Sequence, residues 1–371
     1  MRLIRRLATA ACFAALCLAA LTVTGSGARA ETVVTFTFAG DCTIGSMEMT
    51  RGSADSFDSV VAREGYAYPF ARVLPLFESD DWTVVNLEGV LSDNRAGENK
   101  GKTYRFRGPT DFAEILRISS VEAVSLANNH VADYGPRGLT DTQKALDAHG
   151  IGWFRCKDVC FMEKDGIRIA FLAIDTTTVR DWLNKTRQEV SRLRQSGEAQ
   201  AVVVCFHCGN EYDAHHNEAQ EHVGTSFVEC GADLVIIHHA HVVQGMKITG
   251  NRTILYSLGN FVFGGNSEIR TERCGALEVT SLYTLIVRAE LHFSDEGTYL
   301  GQQLVLYPAL TSSDAPRNNY QPFPADREQA ERIRSAVQTD TAFTLPEITE
   351  ENGYSVIRMP YLPADRSAGE N

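Results

Sequence analysis

The stretch "ADLVIIHHAHVVQG" (residues 232–245) places three imidazoles directly after an apolar run that is typical of a buried strand. The histidines are His238, His239 and His241. They are candidates for metal ligands, for a catalytic base, or for a polar loop without a chemical role. The i, i+2 spacing of His239 and His241 puts both rings on one side of an extended backbone, which favours a shared metal ion.

Outward from this stretch, the chain alternates between strand-like and helix-like segments. The strand-like segments are residues 32–40, 81–89, 121–130, 167–175, 201–207, 232–239 and 252–261. The helix-like segments are residues 138–150, 180–195 and 217–231. Two later segments, 282–293 and 302–310, have the partial alternation of antiparallel strands. This order indicates a layered α/β fold with an antiparallel sheet extension.

Nearly every strand-like run ends in a residue type that binds metal or transfers protons. These residues are Asp41, Asn86, Glu88, Asn128, Asn129, His130, His207, Glu211, His238, His239, His241 and Asn260. Taken singly, an Asp or Asn at a strand end is most often a cap or turn former, and a lone His is most often a hydrogen-bonded structural residue. The C-terminal strand edges of α/β folds converge on one crevice, so the set is predicted to share one site.

The chemistry of this set is that of a metal centre. A carboxylate, an Asn carbonyl and several imidazoles form a mixed oxygen and nitrogen ligand set that suits Mn, Fe, Zn or Ni. Two ions about 3.5–4 Å apart would polarise a phosphoryl or acyl oxygen and generate hydroxide near neutral pH. A histidine outside the ligand set would then protonate the leaving group. We therefore expect one or two divalent transition-metal ions, with Mn, Fe or Zn as the metals.

Six short motifs lie at these strand ends. They are "AGD" (39–41), "NLEG" (86–89), "ANNHVADYG" (127–135), "HCGNEY" (207–212), "HHAHVVQG" (238–245) and "YSLGNFVF" (256–263). In content and order they resemble the motifs of the CapA family of capsule and poly-γ-glutamate synthesis proteins, over residues 33–292. The resemblance implies a calcineurin-like metallophosphoesterase fold, which is a layered α/β/β/α sandwich of the metallo-dependent phosphatase type.

The resemblance also implies roles for the strand-end residues. The implied metal ligands are Asp41, Glu88, Asn129, His207, His239 and His241. His130 would be the catalytic histidine, and Glu211 and Asn260 would line the substrate pocket. Arg105, in "TYRFRG", is a further substrate-binding candidate because it would supply local positive charge; a merely exposed strand arginine is the alternative. His238 is expected to be a strand-end residue or to support the ligands without binding metal.

Two motifs depart from the usual patterns of the fold and of the family. The metallophosphoesterase fold usually opens with Asp-x-His, whereas "DCT" has Thr43 at the His position. The CapA group generally lacks this His as well, which weakens one metal position. The His-x-His loop often reads Gly-x-His-Pro-His, whereas Ile237 and Ala240 stand here in place of the Gly and the Pro. The loop therefore lacks the conformational restraint of proline.

The first 30 residues have the pattern of a secretory signal peptide. Three arginines among the first six residues precede a nearly apolar run over residues 7–23, and "ARA" (28–30) is a small-x-small cleavage site. We therefore expect export to the periplasm, the cell surface or the medium. An uncleaved N-terminal anchor is the alternative, because the apolar run is close to the length of a membrane span.

The rest of the chain is predicted to form a CapA-like domain over residues 31–310 and a C-terminal extension over 311–371, with a loose stretch at 313–329. Seven cysteines lie beyond the signal segment, an odd number for an exported protein. Cys156 and Cys160 flank a short polar turn, where a local disulfide and two free thiols are equally expected. Cys205 is expected to be buried filler rather than part of a zinc or redox cluster.

The formal charge is −12, or −16 without the four arginines of residues 1–30. This charge excludes a typical nucleic-acid binder, which needs a basic face. An anionic cell-envelope polymer or phosphoester would need local positive charge, such as a bound metal, to be held.

These features favour an exported, phosphoesterase-like hydrolase that acts on such a polymer or phosphoester. The alternative is a non-catalytic factor of a capsule-synthesis membrane complex, with a vestigial or polymer-binding site; the missing Asp-x-His motif motivates it. Metal storage or sensing is disfavoured, because the candidate ligands are dispersed through a large fold.

Overall fold

A computed structural model describes residues 31–175, 180–269 and 280–364 of the chain. The predicted signal segment at 1–30 and residue Cys274 lie outside these ranges. All described residues belong to one compact unit, Glu31–Asn371. None of the helices in the described ranges has the length and apolarity that crossing a membrane requires.

Nineteen strands and seven α-helices are found in the described ranges. The strands are β1 (Thr32–Cys42), β2 (Ser46–Met47), β3 (Trp82–Leu87), β4 (Val90–Leu91), β5 (Phe106–Gly108), β6 (Ala123–Ser125), β7 (Gly152–Phe154), β8 (Cys160–Lys164), β9 (Ile167–Asp175), β10 (Ala201–His207), β11 (Leu234–His238), β12 (Met246–Thr249), β13 (Arg252–Leu255), β14 (Tyr283–Phe293), β15 (Tyr299–Leu310), β16 (Phe323–Pro324), β17 (Thr349–Glu351), β18 (Tyr354–Arg358) and β19 (Leu362–Pro363). The helices are α1 (Phe57–Glu64), α2 (Leu74–Phe77), α3 (Ala113–Arg117), α4 (Gly135–Ala148), α5 (Arg180–Ser196), α6 (Glu218–Glu229) and α7 (Arg327–Thr339).

The strands form two large sheets and one small one. The first has the order β17-β18-β15-β14-β1-β3-β6-β7, and β16 and β19 also pair with β15. Its β1-β3-β6-β7 half is parallel, whereas β14 and β15 are antiparallel, as the alternation over 282–293 and 302–310 predicts. The second sheet has the order β12-β13-β11-β10-β9-β8, with parallel pairing from β13 to β9. The small sheet has the order β2-β5-β4.

The predicted α/β/β/α layering is confirmed by the distribution of buried side chains. The two large sheets share one apolar cluster, in which the rings of Phe36 (β1) and Phe171 (β9) have centroids 5.1 Å apart. On the outer face of the first sheet, Leu146 of α4 joins a second cluster. On the outer face of the second sheet, Leu193 of α5 and Phe227 of α6 join a third. Strands buried on both faces explain the continuous apolar runs in the sequence.

The two sheets are joined at one end by the segment that follows β13. The sequence predicts a strand over 252–261, but regular pairing ends at Leu255. The chain then crosses to the end of β1, where Asn260 forms an isolated parallel bridge with Asp41. The crossing requires close backbone approach, since a side chain on Gly40 would meet the Gly259 carbonyl oxygen at 2.0 Å.

The predicted strand over 121–130 is also shorter than expected, because pairing ends at Ser125. Beyond it, the Asn128 side chain accepts from the His130 amide at 3.1 Å and donates to the Leu87 carbonyl at 2.8 Å. These side-chain bonds replace strand pairing with a turn, which is the conformation that Asn favours.

The expectation of a loose stretch at 313–329 is wrong. Tyr320 is 1% exposed, and its hydroxyl donates to the Asp55 carbonyl at 2.7 Å. Asp326 caps α7 by accepting from the Gln329 amide. Ile333 of α7 is buried in the cluster between the sheets. The polar composition of this stretch reflects a turn and a helix cap.

Candidate metal centre

Four strand ends meet where the two large sheets converge. β1 ends with Asp41 and Cys42, β3 carries Asn86, β10 ends at His207 and β11 ends at His238. Alternation along the strands turns His207 to the same face as Cys205, which lies in the cluster between the sheets. The imidazoles of the second sheet therefore reach the carboxylate of the first.

Asp41 is fully buried, and every contact of its carboxylate is to a polar side chain or a backbone amide. The Asn86 side chain donates to Oδ1 at 2.8 Å, and His238 Nδ1 lies 3.1 Å from the same oxygen. His241 Nδ1 and the His239 amide each lie 3.4 Å from Oδ2. Burial raises the pKa of Asp41, but the contacts with His238 and His241 outweigh it and hold this pKa well below its usual range.

Glu88 is also fully buried, and neither of its oxygens has a hydrogen-bond partner among the described residues. Its nearest cation-forming neighbours are imidazoles: Oε1 lies 3.4 Å from His207 Nε2, 3.9 Å from His241 Nε2 and 4.0 Å from His130 Nε2. Burial and the charge of Asp41 raise the pKa of Glu88 to about 7. A carboxylate in this position is expensive unless a cation joins it.

Three groups of donor atoms in the described ranges have all members within 4.8 Å of one another. They are Glu88 with His207 and His239, Asp41 with Glu88 and His241, and Glu211 with His239 and His241. The first two share Glu88, so this carboxylate would serve as a ligand in either group. Asn129 adds its amide oxygen to the first group, at 3.0 Å from His207 Nε2.

The donor set fits a divalent transition metal. Within the described part of the chain, neither oxygen of Glu88 has a hydrogen-bond partner, and neither does Nδ1 of His239, so these buried atoms are available to an ion. Burial lowers the pKa of His207 to about 3; burial and the neighbouring His207 lower that of His239 to about 4. Both rings are therefore neutral at pH 7, which is the state that binds metal. The metal and the number of ions stay predictions.

His241 is held differently from the other two imidazoles. Burial lowers its pKa, but the charges of Glu88 and Asp41 outweigh burial and raise this pKa to about 9. Its Nδ1 lies 2.8 Å from Asn260 Oδ1. An ion bound beside Glu88 and Asp41 would take the place of the His241 proton, so metal binding at this position should release a proton.

The His-x-His loop has a strained backbone. His239 has φ of 102° and His241 has φ of 57°, both in the left-handed region that non-glycine residues rarely adopt. Such conformations cost on the order of 1–3 kcal/mol each and cluster at functional sites. Ala240, in place of the family proline, is fully buried and its carbonyl accepts from the Tyr212 amide at 2.7 Å. Tertiary contacts therefore hold a loop that lacks proline.

His130 lies beside the donor groups and has an orienting partner. Its Nδ1 is 2.7 Å from Asp133 Oδ2, and its Nε2 faces Glu88. Asp133 is fully buried and also accepts from Lys102 Nζ at 2.6 Å. The same Nζ donates to the Asn129 carbonyl at 2.7 Å. Sequence reasoning missed Asp133 and Lys102; the i, i+3 spacing of His130 and Asp133 within "NHVAD" was the available signal.

A cleft of about 560 Å³ opens beside these residues. Of the predicted site residues, His130, Glu211 and His241 line it. The cleft wall is otherwise largely aromatic and polar, with Tyr104, Phe106, Tyr212, Phe263, Asn266 and Glu268 among its residues. The predicted pocket residue Asn260 lies behind His241 and not at the cleft surface.

Arg105 is not placed where a substrate contact requires it. Its Nε donates to Glu98 Oε1 at 3.0 Å, and a guanidinium nitrogen donates to the Lys102 carbonyl. It is absent from the described lining of the cleft, whereas its neighbours Tyr104 and Phe106 are present. The structure thus brings together the six predicted ligands, His130, Glu211 and Asn260, and leaves Arg105 outside.

The cysteines contribute no ligand to the three donor groups. Cys205 lies in the cluster between the sheets, and burial raises its pKa to about 12. Cys208 faces the opposite cluster. Cys156 and Cys160, for which a disulfide and free thiols were equally expected, are free thiols.

The model of the family described as "Bacterial capsule synthesis protein PGA_cap" matches residues 35–265 of this chain. The "Capsule biosynthesis protein CapA" of Bacillus anthracis is 30% identical over 228 residues, which are 55% of this chain and 56% of that protein. The "PGA biosynthesis protein CapA" of Bacillus subtilis (strain 168) is 26% identical over 227 residues, which are 56% and 59% of the two chains. The chain therefore matches less than two thirds of the length of either relative.

Among solved structures, a hypothetical protein from Thermus thermophilus aligns with a TM-score of 0.43 and 13% identity. The alignment covers 74% of this chain and 99% of that one.

Proposed function

The chain belongs to the bacterial capsule synthesis protein family PGA_cap, and we propose that it is a metal-dependent hydrolase within that family. The six sequence motifs predict this family, and the match over residues 35–265 confirms it. The relatives' names give its context, which is the synthesis of a capsule or of poly-glutamate. The reaction and the substrate are part of the proposal.

The observation that carries the proposal is the buried carboxylate of Glu88. It lies at the centre of two overlapping donor groups, with both oxygens unpartnered. Divalent ions held there would polarise a phosphoryl or acyl oxygen and lower the pKa of water. Glu88, His207, His239 and Asn129 would hold one ion, and Asp41, Glu88 and His241 the other.

The residues around the donor groups supply positioning and proton transfer. Asp133 accepts at His130 Nδ1 and so fixes the ring with Nε2 toward the centre. Lys102 and the Phe106 amide hold Asp133 in place. His130 Nε2 would give its proton to the leaving oxygen of a phosphoester in the cleft. The aromatic wall of the cleft would exclude water from the part of the substrate beyond the reacting bond.

The test is a hydrolysis screen with the purified chain lacking residues 1–30 and loaded in turn with Mn²⁺, Fe²⁺ and Zn²⁺. The substrates are 4-nitrophenyl phosphate, bis(4-nitrophenyl) phosphate and γ-glutamyl-4-nitroanilide. We expect hydrolysis of at least one phosphoester, and a loss of about 10²–10⁴-fold in kcat for His130→Ala with metal content retained.

The matched control is His149→Ala. His149 follows the C-terminal end of α4, whereas His130 precedes its N-terminal end, and His149 Nδ1 lies 2.8 Å from the Ala145 carbonyl oxygen. Its replacement should leave kcat unchanged. Absence of hydrolysis with every metal, in a protein that binds metal, contradicts the enzymatic proposal.

A second candidate function is a non-catalytic role in capsule assembly or export, and Thr43 favours it. Thr43 is fully buried and its hydroxyl donates to the Gly45 carbonyl at 3.4 Å, so one position of the donor set lacks the histidine that the metallophosphoesterase fold usually has. Metal binding without hydrolysis, together with association with an anionic envelope polymer or with a capsule-synthesis membrane complex, is the outcome expected for this role.

We further propose that the chain is exported, on the basis of the signal-like pattern in residues 1–30. Expression with and without these residues, followed by cell fractionation and mass determination of the exported form, tests it. Cleavage after residue 30 is the expected result, and full-length protein retained in the cytoplasm contradicts it.

A further inference from the structure

One buried histidine, His238, lies beside the donor groups without belonging to any of them. It is 4% exposed, and its Nδ1 is 3.1 Å from Asp41 Oδ1. The three groups whose donor atoms lie within 4.8 Å of one another include His239 and His241 but not His238. Its nitrogen therefore reaches one ligand and not the place where the ligands converge.

The strand fixes this position. His238 is the last residue of β11 and pairs in register with His207 of β10. Ile236 lies in the cluster between the sheets and Ile237 in the cluster on the helix side. Strand alternation therefore turns His238 to the inner face, toward the end of β1 where Asp41 lies. The backbone register of β11 therefore holds the ring beside Asp41. A histidine on a flexible surface loop would have no such restraint.

The two oxygens of the Asp41 carboxylate have different neighbours. Oδ1 accepts from the Asn86 side chain at 2.8 Å and faces His238 Nδ1. Oδ2 faces the His239 amide and His241, which is a member of the same donor group as Asp41. A carboxylate held on Oδ1 in this way has Oδ2 available for an ion.

We infer that His238 is a positioning residue that donates from Nδ1 to Asp41 Oδ1 and so aims Asp41 Oδ2 at the ion. The inference rests on the metal centre of the proposed function. The proton must be on Nδ1, because an ionised carboxylate only accepts. In the structure the two atoms are 3.1 Å apart but Nδ1 makes no aligned hydrogen bond, so the inference requires the carboxylate or the ring to turn when an ion binds.

The small number of protein ligands around Asp41 creates a need for such a residue. With Thr43 in place of a histidine, the donor group that contains Asp41 has only Glu88 and His241 as its other members in the described ranges. When an ion has few protein ligands, the orientation of each one contributes more to its affinity. Partners that orient metal ligands are worth about 10–100-fold in metal affinity.

The test compares three substitutions of His238. They distinguish a hydrogen bond donated at the position of Nδ1 from a side chain that only fills the space. His238→Asn places an amide nitrogen near the position of Nδ1, whereas His238→Gln places it near Nε2, and His238→Leu supplies no donor. The readout is the dissociation constant and the number of bound Mn²⁺ or Zn²⁺ ions, measured by competition with a chelating dye.

We expect His238→Leu and His238→Gln to bind one ion about 10–100-fold more weakly than the unmodified chain. We expect His238→Asn to stay within about threefold of it, because its amide nitrogen restores the donor that Asp41 needs. Equal affinities in all variants overturn the inference, and so does a His238→Asn variant as weak as His238→Leu. Loss of a whole ion in His238→Asn also overturns it, because it would make His238 a ligand.

Cys208→Ala is the control for packing, because Cys208 is buried beside the same strand end but faces the other cluster. It should change thermal stability without changing metal affinity. If His238→Leu does not fold, the Asn and Gln variants carry the comparison alone. Metal binding without hydrolysis would end the proposed enzymatic function but leave this test intact, whereas an unmodified chain that binds no metal overturns both.

Discussion

Two carboxylates, Asp233 just before β11 of the second sheet and Glu88 just after β3 of the first, are both fully buried, but they have different partners. Asp233, just before β11, accepts from the Val202 amide at 2.9 Å and lies 3.4 Å from Arg194 Nη1 and 3.7 Å from Arg252 Nε. Glu88 lies beside the C-terminal ends of the second sheet's strands. Of the described groups that can carry positive charge, only imidazoles come within 4.0 Å of it.

The difference separates a structural charge from a charge that needs a ligand. Burial raises the pKa of both groups. Arg194 and Arg252 counter that effect at Asp233 with permanent charge. The imidazoles around Glu88 include His207 and His239, which burial keeps neutral. The protein therefore stabilises one buried carboxylate by itself and leaves the other to a cation from solution.

The largest expected effect is stabilisation by added metal. At a free Mn²⁺ or Zn²⁺ concentration of about 1,000 times Kd, binding should raise the free energy of unfolding by about 4 kcal/mol. Glu88→Gln should lose this gain, because it removes the carboxylate shared by two donor groups. Asp233→Asn should keep it. Thermal unfolding with and without metal measures the effect, and equal metal responses in the two variants would break the comparison.

Asp233→Asn should destabilise the protein by about 1–2 kcal/mol with or without metal, because it leaves two arginines without their carboxylate. The loss is smaller than for fully buried pairs for two reasons. Arg194 and Arg252 are 28% and 20% exposed in their side chains, and burial, which raises the pKa of Asp233, makes the ionised carboxylate itself costly. Urea unfolding of the chelator-treated protein measures it. No loss of stability would mean that Asp233 is not a structural charge.

In the metal-free protein, Glu88→Gln should raise the free energy of unfolding, whereas Asp233→Asn should lower it. Since burial raises the pKa of Glu88 to about 7, the ionised group weakens the fold above that pH. Removing the charge should therefore raise stability at pH 8 by about 1–2 kcal/mol, less than the full pKa shift implies, because the amide stays unpartnered. A loss of stability in urea unfolding at pH 8 would show that Glu88 needs no added cation.

The smallest change per step of the experiment is the pH dependence of the metal-free protein, taken over one pH unit. Below pH 6.5 the unfolded chain takes up protons on His207 and His239 that the folded protein does not, because burial lowers the pKa values to about 3 and 4. The free energy of unfolding must therefore fall as pH falls. The folded protein, in turn, takes up one proton on Glu88 that the unfolded chain does not, and this proton offsets one of the two on the histidines. The net slope from pH 6.5 to 4.5 is about 1.4 kcal/mol per pH unit.

Above pH 6.5 the slope of the free energy of unfolding with pH changes sign. The pKa of His241 is raised to about 9, so the folded protein keeps a proton there that the unfolded chain has lost, and stability falls as pH rises toward 9. The free energy of unfolding of the chelator-treated protein, measured between pH 5 and 9, should therefore show a maximum near pH 6.5. A continuous rise in stability up to pH 9 would contradict the protonation states assigned to these residues.

The sequence was sufficient to predict the convergence of the site residues, because strand ends in an α/β fold are fixed in space by the sheet. Asp41, His207 and His239 could be expected together on that ground alone. The strand at 121–130 was predicted too long, since Asn128 side-chain bonds compete with pairing in a way that propensity does not record. The prediction of a loose stretch at 313–329 was wrong for a related reason. Residues that cap helices or form turns are polar even when they are ordered.

The partners of the site residues were less predictable than the residues themselves. Asp133 follows His130 by three positions and could have been noticed, but Lys102 comes from a distant loop with no motif around it. Arg105 was expected at the cleft, yet Glu98, seven positions earlier, already accepts from it. Hydrogen-bond partners that lie on loops depend on tertiary structure, which a one-dimensional pattern does not contain.

The most direct test of the account is the metal content of the purified chain, determined by elemental analysis beside a His239→Ala/His241→Ala double variant. We predict one or two transition-metal ions per chain in the unmodified protein and none in the variant, since the variant removes ligands from every donor group in the described ranges. A folded, metal-free protein that also fails to bind added Mn²⁺, Fe²⁺ or Zn²⁺ would contradict the central claim that Glu88 lies at a metal centre.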